Sequence, residues 1–125
     1  MGVIFFADGS IYEGQFSGNE INGSGLYKWY DGKQYAGNWV QNRMHGKGHL
    51  KWADGREYKG NFVQDKRHGF GEYSWGDGRV FRGEWKMGKQ HGEGFFVSGK
   101  GKKERQGVWK EGKRVKWTDN EAEKN

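Results

Sequence analysis

The 125-residue chain is the length of one domain, yet only 20 of its residues are Leu, Ile, Val or Phe, which excludes a thick two-layer core. Seven Trp, six Tyr and eight Phe exclude a disordered chain, because each ring buries a large area. The net charge of +6, carried despite an acidic final DNEAEKN stretch, turns the surface toward anionic partners such as phosphoinositide membranes, acidic protein tails or nucleic acid.

With no Cys there is no disulfide frame and no cysteine-based metal site or nucleophile. The apolar run at residues 3–7 has no basic region before it and no cleavage-like site after it, so it does not read as a signal peptide. No segment reaches transmembrane length, and the expected location is cytoplasmic. The Asn22-Gly23-Ser24 sequon reads as part of a turn.

Along the chain, GVIFFADGSI (residues 2–11) is half a unit, with Phe6 standing where Trp29 stands later and Asp8-Gly9 at a turn. Full units follow at 12–34, 35–57, 58–80 and 81–104, starting at Tyr12, Tyr35, Tyr58 and Phe81, each 23 residues from the last. A partial unit covers 105–117 after a one-residue insertion, and 118–125 is a polar tail. Within each unit an aromatic-x-Gly-x-aromatic phrase (YEGQF, YAGNW, YKGNF, FRGEW) leads to a turn residue, Asn19, Asn42, Asp65 or Gly88. Then come NGSG, HGKG, HGFG or HGEG, and in the first three units a second phrase ending in Asp-Gly (LYKWYDG, HLKWADG, EYSWGDG). Self-similarity at a fixed period marks a repeat array.

Alternation with period two makes each half a strand and each unit a β-hairpin. Tyr35, Gly37 and Trp39 share one face with Gly48, Leu50 and Trp52, while Ala36, Asn38, Lys47, His49 and Lys51 take the other. Two turns set that register. A four-residue turn over 41–44 is expected to place Trp39 opposite Gly46. A three-residue loop over 30–32, with Gly32 left-handed and a bulge, is expected to pair Tyr27 with Tyr35. A single sheet has no second layer to bury its ring-bearing face, so the rings must lie on the bare backbone of neighbouring glycines. The predicted fold is all-β: an elongated, twisted, single-layer antiparallel sheet of tandem hairpins without a helical core, each repeat leaning only on its neighbours.

These phrases resemble the membrane occupation and recognition nexus (MORN) repeat, whose pattern is close to Tyr-x-Gly-x-Trp, Gly, His-Gly-x-Gly and Asp-Gly. The likeness runs from residue 2 to about 112 and departs at Asn22 in place of His, at Ser98 and Lys100 in place of Trp and Asp, and at Arg105. The resemblance implies a non-enzymatic binding scaffold of cytoskeletal or ciliary assemblies, in some members apposed to a membrane.

Other chemistry reads poorly. His45, His68 and His91 recur once per repeat, about 10 Å apart on strands spaced ~4.8 Å, too far to share a zinc ion, so turn hydrogen bonding is the expected role. GFFVSGKG (94–101) approaches a phosphate-binding loop but lacks the hydroxyl residue and the following helix. The recurring acids Asp8, Asp31, Asp54 and Asp77 are turn residues, and no cofactor or metal site is expected. The expected partner site is a groove of Tyr27, Trp29, Tyr35, Leu50, Trp52, Tyr58, Tyr73 and Trp75 that holds a helix or extended segment of another protein, with Leu50→Lys as a fold-neutral probe. The alternative is an anionic phospholipid surface met by the basic hairpin ends, Arg43, Lys66, Arg67 and Lys89 on one side and Lys33, Arg56, Arg79, Lys102 and Lys103 on the other. Nucleic acid is disfavoured because the sheet itself uses the rings. The open C-terminal edge, RQGVWKEGKRVKW, permits a registered homodimer.

Because each repeat depends on both neighbours, Gly60→Val in mid-array should lower the urea midpoint more than Gly107→Val near its end. Equal losses would indicate one cooperative globule.

Overall fold

The computed structural model describes residues 1–119. Its strands are β1 (Gly2–Phe5), β2 (Ile11–Ser17), β3 (Glu20–Lys28), β4 (Gln34–Val40), β5 (Arg43–Lys51), β6 (Glu57–Val63), β7 (Lys66–Ser74), β8 (Arg79–Lys86), β9 (Lys89–Ser98), β10 (Glu104–Lys110) and β11 (Lys113–Trp117). They form one open 11-stranded sheet in chain order, antiparallel throughout, with no helix among the described residues. At ~4.8 Å per strand the sheet is about 50 Å across its strands.

The loop after Trp29 has the expected three residues. Trp29 N–H donates to Lys33 O (2.9 Å), Gly32 N–H donates to Trp29 O (3.1 Å), and Gly32 has φ +96°. Tyr27 and Tyr35 are paired, which brings their rings to one face. Asp8, Asp31, Asp54 and Asp77 each accept the N–H two residues on, at 2.9–3.1 Å, so the recurring acids are consumed by the turns.

The other turn departs from expectation. Trp39 pairs with Met44 and Val40 with Arg43, so the connection is the two-residue turn Gln41-Asn42, both left-handed (φ +47° and +67°). That is the twist a tight hairpin requires. Parity survives because β5 sets His45, Gly46 and Lys47 against the single Asn38, a bulge with Gly46 at φ +80°. Gly46 faces Phe62 of the following strand, not Trp39.

In the register that results, Gly14, Gly25, Gly37, Gly48, Gly60, Gly71, Gly83, Gly94 and Gly107 face one another in succession across nine strands. Tyr12, Tyr35 and Tyr58 lie over this ladder, and a Cβ on Gly25, Gly48 or Gly71 would fall within their rings. Their hydroxyls donate to Gln15 O, Asn38 O and Asn61 O at 2.9, 3.0 and 2.9 Å. Phe81 takes the same place in the fourth repeat without the hydroxyl.

Repeats are tied by their turns. Asn42 N–H donates to Ile21 O (3.0 Å) while Asn42 Oδ1 accepts from Ile21 N–H (2.8 Å). Asp65 repeats both bonds with Met44 at 2.9 and 2.8 Å, whereas Gly88 and Gly112 keep only the backbone bonds, to Arg67 O and Gln90 O. Of the tail expected over 118–125, only Thr118 and Asp119 are among the described residues. Thr118 N–H donates to Gln106 O at 2.8 Å, and Asp119 accepts from Gln106 N–H at 3.1 Å.

Burial pushes the Tyr35 phenol up to about 12 and raises those of Tyr12 and Tyr58. A phenol harder to ionise in the folded chain than in the unfolded one, where it titrates near 10, contributes stability that is complete below about pH 10 and lost as pH rises toward 12. Alkaline unfolding followed by circular dichroism should begin near pH 10. Tyr58→Phe should lower stability by about 1 kcal/mol at pH 7 and make the alkaline loss shallower.

Candidate partner-binding face

One face of the sheet carries nearly all the rings. An edge-to-face chain crosses it from repeat to repeat: Tyr12–Trp39 (6.0 Å), Trp39–Tyr35 (5.1 Å), Tyr35–Phe62 (5.3 Å), Phe62–Tyr58 (5.1 Å), Tyr58–Trp85 (5.4 Å), Trp85–Phe81 (5.5 Å) and Phe81–Trp109 (4.7 Å). Each such pair adds about 0.5–1.5 kcal/mol beyond its burial. Every ladder ring therefore touches the second aromatic of its own repeat and that of the next.

Of the eight residues expected to form a groove, Tyr35, Leu50, Tyr58 and Tyr73 are buried, at 0, 6, 0 and 5% exposure. They are the core of a one-layer protein and offer a partner almost no surface. Leu50→Lys would bury an ammonium group there, so it is not the fold-neutral probe expected from the sequence. Tyr27, Trp29, Trp52 and Trp75 are only half-buried and keep open ring surface. Tyr27 packs on Trp29 at 4.5 Å, and Tyr73 on Trp75 at 4.7 Å. A basic residue four positions on sits over each Trp: Lys33 at 4.4 Å from the Trp29 ring, Arg56 at 5.0 Å from Trp52 and Arg79 at 5.4 Å from Trp75. Reading the basic residues only as hairpin-end charges missed these contacts, though the recurrent Trp-x-x-x-Lys/Arg spacing is present in the chain.

The MORN repeat model matches four consecutive segments, 12–34, 35–55, 58–78 and 81–103. This chain belongs to the MORN repeat family. No curated protein matches it. MORN repeats are non-catalytic modules that bind proteins or membranes.

The signature histidine of the third repeat has a visible structural role. His68 Nδ1 accepts from Met87 N–H of the next turn (3.1 Å), and Asn22, which replaces His in the first repeat, accepts from Gln41 N–H (2.9 Å). The substitution keeps the acceptor and explains why the array tolerates it. Among the described residues no three His, Asp or Glu side chains come close enough to hold a metal ion.

At the two-residue turns Arg43, Lys66 and Lys89 are exposed beside the exposed Val40, Val63 and Met87. Arg67, expected with them, is not. It lies on the ring face, paired across the strands with Phe62, its guanidinium 5.3 Å from the Tyr73 ring and 4.8 Å from that of Trp85, and it donates to Gly88 O at 2.9 Å. Burial holds its pKa below the usual arginine value. The opposite face has a trough of about 720 Å³ floored by Gly48, Gly60 and Gly71, with Lys47, Lys59 and Phe70 among its walls.

The second repeat of the MORN array holds Met44 where the third holds Arg67. Replacing a half-buried cation by an apolar side chain of similar length removes part of a desolvation cost. Arg67→Met should leave the fold intact and raise stability by up to about 1 kcal/mol, a few degrees in Tm. A large drop by calorimetry would show that the guanidinium contacts outweigh that cost.

Proposed function

We propose that this MORN array is a non-enzymatic scaffold of a cytoskeletal or ciliary assembly, located in the cytoplasm, that holds a helix or extended segment of another protein along its ring face. The observation that carries the reading is the row of half-open rings, Tyr27, Trp29, Trp52 and Trp75, whose inner parts are fixed by the core while their outer parts stay open. Rigid, partly exposed aromatics lose little entropy on binding and commonly carry most of an interface's energy.

A second reading is favoured by the basic turns Arg43, Lys66 and Lys89, which carry the exposed apolar tips Val40, Val63 and Met87: contact with an anionic phospholipid surface. Salt separates the two, because apolar ring contacts persist at ionic strengths that screen lipid attraction.

The direct test is Trp52→Glu. Trp52 lies just beyond the end of β5, its ring 5.6 Å from that of Tyr73, so a carboxylate there leaves the strand ladder in place and lies beside Arg56, which already pairs with Asp54. Proteins captured by the wild-type chain from its native source, identified by mass spectrometry and then purified, should bind this variant at least about tenfold more weakly, roughly 1.4 kcal/mol, with an unchanged circular dichroism spectrum. Wild-type affinity in a folded variant would remove the ring face as the binding site.

A further inference from the structure

We infer that the fourth repeat holds a vacant anchor slot on the ring face, which takes an apolar side chain from an acidic segment of a partner protein. The inference deepens the proposed protein-binding role and rests on it.

The array supplies its own reference. At equivalent places in successive repeats, Ile21, Met44 and Arg67 project on the ring face beside Phe16, Trp39 and Phe62. In the first repeat Tyr27 and Trp39 close on one another, with ring centres 5.7 Å apart. In the third, Tyr73 and Trp85 are 5.9 Å apart and Arg67 lies against both. The fourth repeat places the shorter, polar Gln90 at this position, paired with Trp85. There a cavity of about 210 Å³ remains, lined by Trp75, Gln90, Phe96, Trp109, Arg114 and Trp117. Four of the six lining residues are aromatic. The space that this chain fills for itself in earlier repeats is left open here.

Charge decides which occupant fits. The Ile21 and Met44 precedents admit an apolar side chain, and the Arg67 precedent admits a cation. Arg114 lines the slot, its guanidinium 4.5 Å from the Trp117 ring, and has no carboxylate partner among the described residues. It would repel a second cation. An apolar side chain flanked by a carboxylate fits both the slot and the guanidinium at its wall.

The test uses the full chain and short capped peptides of alanine and glutamate that carry one central leucine. Controls replace the leucine by alanine, or the glutamates by lysines. Binding is followed by tryptophan fluorescence. The acidic leucine peptide should bind at least about tenfold more tightly than either control and weaken with salt. Gln90→Met, which fills the slot with the side chain that the second repeat uses, should abolish that preference for leucine while leaving the unfolding temperature unchanged or higher. Arg114→Glu should weaken binding to a similar degree. Equal binding of the leucine and alanine peptides, an unchanged preference in Gln90→Met, or no binding by any peptide overturns the inference. So does binding confined to phosphatidylserine vesicles or to a second copy of the chain. If Trp52→Glu loses the native partner while Gln90→Met does not respond, the slot fails and the ring-face reading stands.

Discussion

The contact on which the fold depends is a phenol ring laid flat over two glycines that face each other across adjacent strands. Tyr35 over Gly37 and Gly48, and Tyr58 over Gly60 and Gly71, take the place of the second layer that the chain has too few aliphatic residues to build. A methyl group at Gly48 or Gly71 would occupy the ring's position, so glycine is required there for space, not for backbone freedom. The hydroxyl then closes onto a carbonyl three residues on, which satisfies the one polar atom of a ring with 0% exposure.

Period and stability come from how such units couple. Every ladder ring leans on an aromatic of the next repeat, and each two-residue turn after the first reaches back to the preceding repeat through a backbone bond, with Asn42 or Asp65 adding a side-chain acceptor. The couplings link nearest neighbours, so the array behaves as a row of similar joints. Variation is tolerated where the replacement keeps the joint's chemistry. Asn22 retains the acceptor that His68 provides, and Phe81 retains the ring without its hydroxyl.

The arrangement also divides the aromatic residues into two classes. Those over the glycine ladder are spent on the fold, while those near the three-residue loops keep open surface, with a cation over each Trp. A scaffold built this way offers a partner rings that are already immobilised, which lowers the entropic cost of association. The same economy leaves a basic turn edge without carboxylate partners among the described residues, a feature shared by the protein-docking and membrane readings.

The sequence alone determined the 23-residue period, the all-β hairpin array, the shared ring face and the Tyr27–Tyr35 register, because strand parity and a left-handed Gly32 leave few alternatives. It also carried the idea of rings on glycines. The turn at Gln41-Asn42 was not legible: counting parity gave a four-residue loop, whereas the chain uses a two-residue turn with a bulge at His45–Lys47. The glycine that recurs after each histidine is the local sign of that bulge. Only the tertiary structure decided which rings are open. Tyr35 and Tyr58 are covered by Phe62 and Trp85, residues 27 positions further along the chain, and Arg67 is drawn in between Tyr73 and Trp85 instead of standing with the surface cations. Exposure in a repeat array is set by the neighbouring repeat, and a pattern read within one repeat does not contain it.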